Sequence, residues 1–285
     1  MRVADEVFER AQKRIGSHLG DGYVIRGVLG IGGTSVVYRA EHEERGPCAL
    51  KVLHDELRDV TEVCARFVRE GYVANSLEHP AAVPVFTHGV DEDGTPYLAL
   101  ELLDGESLEV TWRERALPPV ERVVEMAAQL LDVLAAAHAK EIVHRDVKPG
   151  NVFVERSGRI RLLDFGLARL GSSPRLTPTG DTLGTAEFAA PEQARGASKR
   201  ADARADVYSV GALVFSLLTG TFVHAADNPM ERMVLAATRE APRLKTRLPN
   251  VDPRLARVVD TALSFRRESR YADARAMLDA LEELR

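Results

Sequence analysis

The chain has 285 residues, 45% of them hydrophobic, which allows one large domain or two lobes around a cleft. With 38 basic against 43 acidic side chains the formal net charge is −5, which excludes the basic excess of a nucleic-acid-binding surface. Two cysteines, Cys48 and Cys64, a charged amino terminus without an apolar leader, and a longest nearly uncharged run (207–220) short enough for a buried helix argue against a disulfide framework, a secretory signal and a membrane span, and set the expectation of a cytoplasmic protein.

Taken in order, residues 2 to about 19 place Val3, Val7, Phe8, Ala11 and Ile15 at near-helical spacing, which fits an amphipathic helix packed on the rest of the chain or on a partner, with a docked or frayed amino-terminal extension as the favoured reading. Next comes Y-V-I-R-G-V-L-G-I-G-G-T-S-V-V-Y-R-A, where apolar residues alternate on both sides of Gly30, Gly32 and Gly33. This predicts two strands joined by a glycine turn whose N–H groups can approach a polyphosphate. A dinucleotide-binding turn would lead into a helix, whereas here the glycines lead into a strand pattern. Lys51 lies inside the apolar strand C-A-L-K-V-L and needs a partner, because an unpaired buried ammonium is costly. A helix is predicted over 60–77; it carries Glu62 and Glu70, and Gly71 within it costs about 1 kcal/mol relative to alanine, which predicts a soft helix that sets an on–off equilibrium, so that Gly71→Ala raises basal activity. Residues 79–103 read as turn, strand, D-G turn and strand. From D-G-E-S-L onward the pattern is helical, with Val123, Val124, Ala127, Leu130, Leu131 and Leu134 on one face of a helix over 120–139.

The stretch I-V-H-R-D-V-K-P-G-N, 142–151, concentrates chemistry. Asp146 is a carboxylate able to accept the proton of an attacking hydroxyl, Lys148 a cation suited to a phosphoryl group in transfer, and Asn151 an oxygen donor suited to a divalent metal. V-F-V and I-R-L-L predict two strands, the second ending at Asp164, so that a hairpin-like unit gathers a base, a cation and two metal ligands. Residues 166–190 are rich in Ser, Thr, Pro and Gly and read as a loop. The eight histidines show no metal-ligand spacing, and His138 reads as a packed or capping residue. Asp206 opens the apolar helix and is placed to cap it, and two amphipathic helices close the chain.

H-R-D-x-K-P-x-N followed by D-F-G resembles the catalytic core of eukaryotic-type protein kinases. The K-P after H-R-D is similar to the serine/threonine branch, and the surrounding sequence resembles the bacterial serine/threonine protein kinases from about Tyr23 to Arg285. The resemblance implies an α+β, two-lobed fold. A small antiparallel β lobe with one key helix would occupy about 23–103 and a larger, mainly helical lobe about 104–285, after an extension of residues 1–22, with the kinase-like unit making up nearly everything. It further implies transfer of the ATP γ-phosphoryl group to protein serine or threonine hydroxyls, with Mg²⁺ (or Mn²⁺) as cofactor. Asp146 and Lys148 would be catalytic, with Asn151 and Asp164 holding the metal.

ATP would be bound by Leu29, Gly30, Gly32, Gly33, Ser35 in place of a third glycine, Val37, Ala49, Lys51 paired with Glu70, Glu101 and Leu103 of the hinge, and Phe153, with Leu100 as gatekeeper. His144 would pack under Phe165, and Arg145, Thr185, Asp206 and the pair Glu192 and Arg270 would give structural support. Thr177, Thr179 and Thr182 are candidate sites of activation-loop autophosphorylation, with Arg145 as the receiving cation and a homodimer acting in trans as the family's habit. Ala81, Ala186 and Arg266-Arg267 depart from the family pattern, so a nucleotide-binding scaffold (pseudokinase) is the alternative. The A-P-E segment and the threonine-rich loop argue against a small-molecule kinase.

Overall fold

A computed structural model describes residues 2–114, 116–165, 187–196 and 201–284, with side chains from residue 5 onward. Thr177, Thr179, Thr182, Thr185 and Ala186 lie outside the described residues. Among the described residues, 2–78 and 83–104 form one compact unit, and 79–82 with those from 105 onward form another. One unit is β-rich and the other mainly helical, the α+β organisation expected from the sequence.

The first unit is built on an antiparallel sheet of β1 (His18–Leu19), β2 (Tyr23–Ile31), β3 (Ser35–His42), β4 (Gly46–Leu53), β5 (Val85–Val90) and β6 (Pro96–Leu100), in the order β1-β2-β3-β4-β6-β5. Side chains alternate across a strand, so β4 feeds two cores. Leu50 and Val52 join Ile25, Tyr38, Tyr97 and Ala11 of helix α1 (Arg2–Lys13), whereas Leu53 joins Val85, Leu98 and Phe67 of helix α2 (Thr61–Ser76). The two helices therefore cover opposite faces of the sheet.

One expectation is corrected here. The amino-terminal helix ends at Lys13 rather than near Leu19, because the Gly16 N–H leaves helical register to bond the Ile25 carbonyl (2.8 Å) and His18–Leu19 pair with Val24 and Tyr23. Gly71 has a packing reason: a Cβ there would stand 3.3 Å from both Leu98 Cδ2 and Val85 Cγ1, so glycine lets α2 approach the sheet rather than merely softening the helix.

The second unit holds a three-stranded antiparallel sheet, β7 (Gly105–Ser107), β8 (Val152–Glu155) and β9 (Ile160–Leu162), in that order. Its helices are α3 (Leu108–Arg113), α4 (Val120–Ala139), α5 (Pro191–Ala194), α6 (Ala203–Thr219), α7 (Pro229–Thr238), α8 (Leu244–Arg247), α9 (Pro253–Ala262) and α10 (Ala274–Glu282). Strand β7 replaces the start of the expected helical run. A Cβ on Gly105 would lie 2.1 Å from the Val154 carbonyl, so the glycine permits β7 to close on β8.

Helix α4 buries Val123, Ala127, Leu130, Leu131 and Leu134 and packs against α6 and α10. Helix α6 is buried along nearly its whole length, and its cap is Asp202, whose side chain accepts from the Arg204 N–H at 3.0 Å. Asp206, expected to cap this helix, sits one turn inside it and serves other donors. No helix among the described residues is long and apolar enough to cross a membrane.

Candidate active-site residues

In the first unit, cross-strand neighbours in register share a face. Val37, Lys51 and Leu98 form one row across β3, β4 and β6, and Ala49 with Leu100 a second. The buried Lys51 ammonium lies 2.5 Å from Glu70 Oε1 on α2, while Glu62 is exposed in the first turn of that helix. Pairing of this kind is what permits a charge inside an apolar strand. Leu29 is exposed and Ser35 buried at opposite ends of the glycine turn, which is closed by the Gly32 N–H donating to the Ser35 carbonyl at 2.8 Å. The Glu101 N–H is committed to the Pro84 carbonyl at 3.1 Å, and Glu101 and Leu103 are half-buried.

In the second unit, Asp146, Lys148 and Asn151 come together. Lys148 Nζ lies 3.0 Å from Asp146 Oδ2, and Asn151 Nδ2 donates to the Asp146 carbonyl at 2.8 Å and to Oδ2 at 3.1 Å. The other carboxylate oxygen, Asp146 Oδ1, is buried and accepts no hydrogen bond among the described residues. Val152 pairs with Leu162, and the Leu163 N–H donates to the Asn151 carbonyl at 2.8 Å, so Asn151 and Asp164 fall at the same end of the β8–β9 hairpin. Phe153 is half-buried on β8, opposite Arg161.

His144 is fully buried and joins the two segments. Its Nε2 lies 2.9 Å from the Leu163 carbonyl and so carries the proton, which leaves Nδ1 to accept the Asp146 N–H at 3.3 Å. Its ring meets Phe165 edge-on at 4.9 Å. Arg145 (φ 67°) and Asp164 (φ 60°) both adopt the left-handed conformation, which costs a non-glycine residue about 1–2 kcal/mol.

Asp206 holds Arg145 in place. Its Oδ1 accepts the Arg145 N–H at 2.7 Å, and its Oδ2 accepts from the His144 N–H at 2.8 Å and His138 Nε2 at 2.9 Å. Burial alone would raise this carboxyl, but the His138 hydrogen bond, the nearby histidines and the Arg145 N–H hold it below the usual carboxylate range. His138 reaches on to the Ala274 N–H at 3.2 Å, tying α10 to the same carboxylate.

Arg270 is buried and bidentate on Glu192, at 2.8 and 2.9 Å, despite Arg266-Arg267 just before it. It also donates to the carbonyls of Ser264 (2.8 Å) and Arg204 (3.1 Å). Gln193, which no motif in the sequence singled out, donates to the Arg145 carbonyl at 2.9 Å while its Oε1 accepts the Ala190 N–H at 3.1 Å. Its place directly after A-P-E is the one sequence signal that points to it.

A family model described as the protein kinase domain matches residues 23–280. Serine/threonine-protein kinase PknL of Mycobacterium tuberculosis is 37% identical over 264 residues, covering 92% of this chain and 65% of that protein. Serine/threonine-protein kinase PknB of Mycobacterium leprae is 35% identical over 270 residues, covering 91% of this chain and 42% of that protein. The chain thus spans less than two thirds of the length of either relative. The crystal structure of the M. tuberculosis PknI kinase domain superposes with a TM-score of 0.72 at 28% identity, covering 94% of this chain and 97% of that one. The chain belongs to the protein kinase domain family.

Proposed function

We propose that the chain is a serine/threonine protein kinase that transfers the γ-phosphoryl group of ATP to protein hydroxyls. The observation that carries this reading is the buried, unpartnered Asp146 Oδ1 beside Lys148 and Asn151. A carboxylate oxygen that accepts no bond among the described residues is ready to accept one from a substrate hydroxyl, orienting it and taking its proton. Lys148 places a cation beside that carboxylate, able to stabilise charge on the group in transfer. Lys51, fixed by Glu70, holds the α- and β-phosphates under the N–H groups of the glycine turn.

A divalent cation fits the residues present. The Asn151 amide nitrogen is committed to Asp146, so its Oδ1 is turned away from that contact and accepts no hydrogen bond among the described residues. With the Asp164 carboxylate it makes a pair of oxygen ligands, and no group of three or more His, Cys, Asp or Glu side chains that could hold a metal occurs among the described residues. One carboxylate and one amide oxygen suit Mg²⁺, or Mn²⁺, a cation that takes its remaining ligands from phosphate and water. When bound, the ion neutralises phosphate charge.

Thr177, Thr179 and Thr182 are the sites we assign to autophosphorylation by a second copy. Arg145, whose Nε is buried without a partner among the described residues, is the receiving cation. Incubation with Mg²⁺ and ATP followed by phosphosite mapping tests both assignments. Phosphoserine or phosphothreonine on an added protein supports the kinase reading, and phosphate on Thr177, Thr179 or Thr182 supports the autophosphorylation sites. ATP binding with no phosphate transferred would instead make the chain a nucleotide-binding scaffold.

A further inference from the structure

The link between β4 and α2, residues 54–60, grips the glycine turn at two points. The His54 main-chain N–H donates to the Thr34 carbonyl at 2.9 Å, and His54 Nε2 lies 2.8 Å from the Gly32 carbonyl. A carbonyl only accepts, so Nε2 carries the proton. With Gly32 N–H bonded to Ser35, the carbonyls of Gly32, Thr34 and Ser35 are all engaged within the unit. The N–H groups of Gly33 and Thr34 meet no acceptor among the described residues. In a trans peptide the C=O and N–H point in opposite directions, so drawing the Gly32 carbonyl toward His54 turns the Gly33 N–H away from it. Successive free N–H groups in a turn form an anion-binding concavity.

The same link is braced from its other side. Asp55 accepts from Arg14 Nη2 of the segment following α1 at 3.1 Å, and Glu56 pairs with Arg10 of α1. Asp93 stands 3.7 Å from Arg14 and 3.4 Å from Arg58. Ala11 of α1 packs in the core that holds Val36, Tyr38 and Val52, so the helix is fixed to the sheet as well as to the link.

We propose that His54 is a positioning residue: its side chain sets the Gly32–Gly33 peptide plane so that the free Gly33 N–H, with that of Thr34 next to it, faces the ATP phosphates, and the α1 segment braces it through Arg14 and Asp55. The inference rests on the nucleotide reading proposed for the glycine turn and Lys51.

The test is an ATP titration with steady-state kinetics on the full chain, together with amide exchange at Gly32 in the absence of nucleotide. His54→Phe keeps the ring and the main-chain bond but loses the donor; His54→Gln keeps a donor. Losing one neutral hydrogen bond should raise the Kd and KM for ATP about three- to ten-fold, with little change in kcat or in the KM for protein substrate. Gln should recover most of this, and Gly32 amide exchange should quicken in Phe only. Arg14→Met should weaken ATP binding in the same direction and by less.

Equal losses in Phe and Gln accompanied by equal falls in Tm would mean a merely structural role and overturn the proposal. So would unchanged ATP affinity with unchanged Gly32 exchange. Whether the wild-type chain binds ATP at all tests the nucleotide reading separately, and the exchange arm still decides whether His54 sets the turn.

Discussion

Replacing Asp206 by asparagine changes one oxygen for an NH₂ group and little else in shape. The carboxylate now serves three donors: His144 N–H and His138 Nε2 on one oxygen and Arg145 N–H on the other. Asparagine has one acceptor oxygen. Its better orientation keeps the two donors on the Oδ2 side and turns NH₂ against the Arg145 N–H, donor facing donor. An unsatisfied buried donor costs about 1–3 kcal/mol, and the loss of charge assistance on the remaining bonds adds to it, so a total of about 3 kcal/mol is expected.

At roughly 2–4 °C per kcal/mol for chains of 150–250 residues, Asp206→Asn should lower the Tm of the second unit by roughly 6–12 °C in calorimetry. Phosphotransfer should fall as well, because the bond to Arg145 holds a left-handed residue directly before Asp146. A pH series adds a signed check. The folded Asp206 carboxyl lies below its unfolded value of about 3.9, so its contribution is complete above that pH and lost as pH falls through the folded value. The acid limb of the stability profile should therefore be shallower in the variant. A Tm within about 2 °C of wild type at neutral pH, with full activity, would refute the reasoning that Asp206 braces the catalytic loop.

Gly71→Ala gains about 1 kcal/mol of helix propensity but pushes a methyl to 3.3 Å from Leu98 and Val85, where overpacking costs about 1–3 kcal/mol. Urea unfolding should show a net loss of about 1 kcal/mol with no rise in basal activity; a stabilised, more active variant would restore the soft-helix reading. Arg270→Met strands the Glu192 carboxylate and the carbonyls of Ser264 and Arg204, so a loss of about 3–5 kcal/mol is expected in the same assay. Gln193→Leu removes both of its bonds, the one to the Arg145 carbonyl beside the proposed base and the one from the buried Ala190 N–H, so kcat should fall together with a loss of about 1–3 kcal/mol in stability.

What the sequence made legible and what it did not divide along physical lines. The need of Lys51 for a counter-charge was readable because it lies in an apolar strand, but the choice of Glu70 over Glu62 on the following helix came from the family resemblance. The β8–β9 hairpin and the buried α6 were readable from apolar runs long enough to show a pattern. Strand β7 was not, because the three residues G-E-S have no pattern of their own and become a strand only by pairing with Phe153, Val154 and Glu155.

The helix end at Lys13 was hidden in the same way, since Ile15 continues the apolar spacing and the competing Gly16–Ile25 bond is formed across a turn and a strand. The choice between Asp202 and Asp206 as cap depended on which residue leaves the helix, and Asp202 does so with extended backbone. The left-handed Arg145 and Asp164 are set by their surroundings, and no feature of the motif announces them. His54 carries no sequence signal beyond its place after β4, because its partners are main-chain carbonyls in the preceding turn.

The central claim is that Asp146 acts on a substrate hydroxyl. The most direct measurement compares initial rates of ³²P transfer from γ-labelled ATP to a protein substrate for wild type and Asp146→Asn, with ATP affinity and Tm measured on both. The account predicts a loss of at least about 10²-fold in rate, the usual worth of a positioned general base, with ATP binding retained. Transfer by the variant within a few-fold of wild type would contradict it.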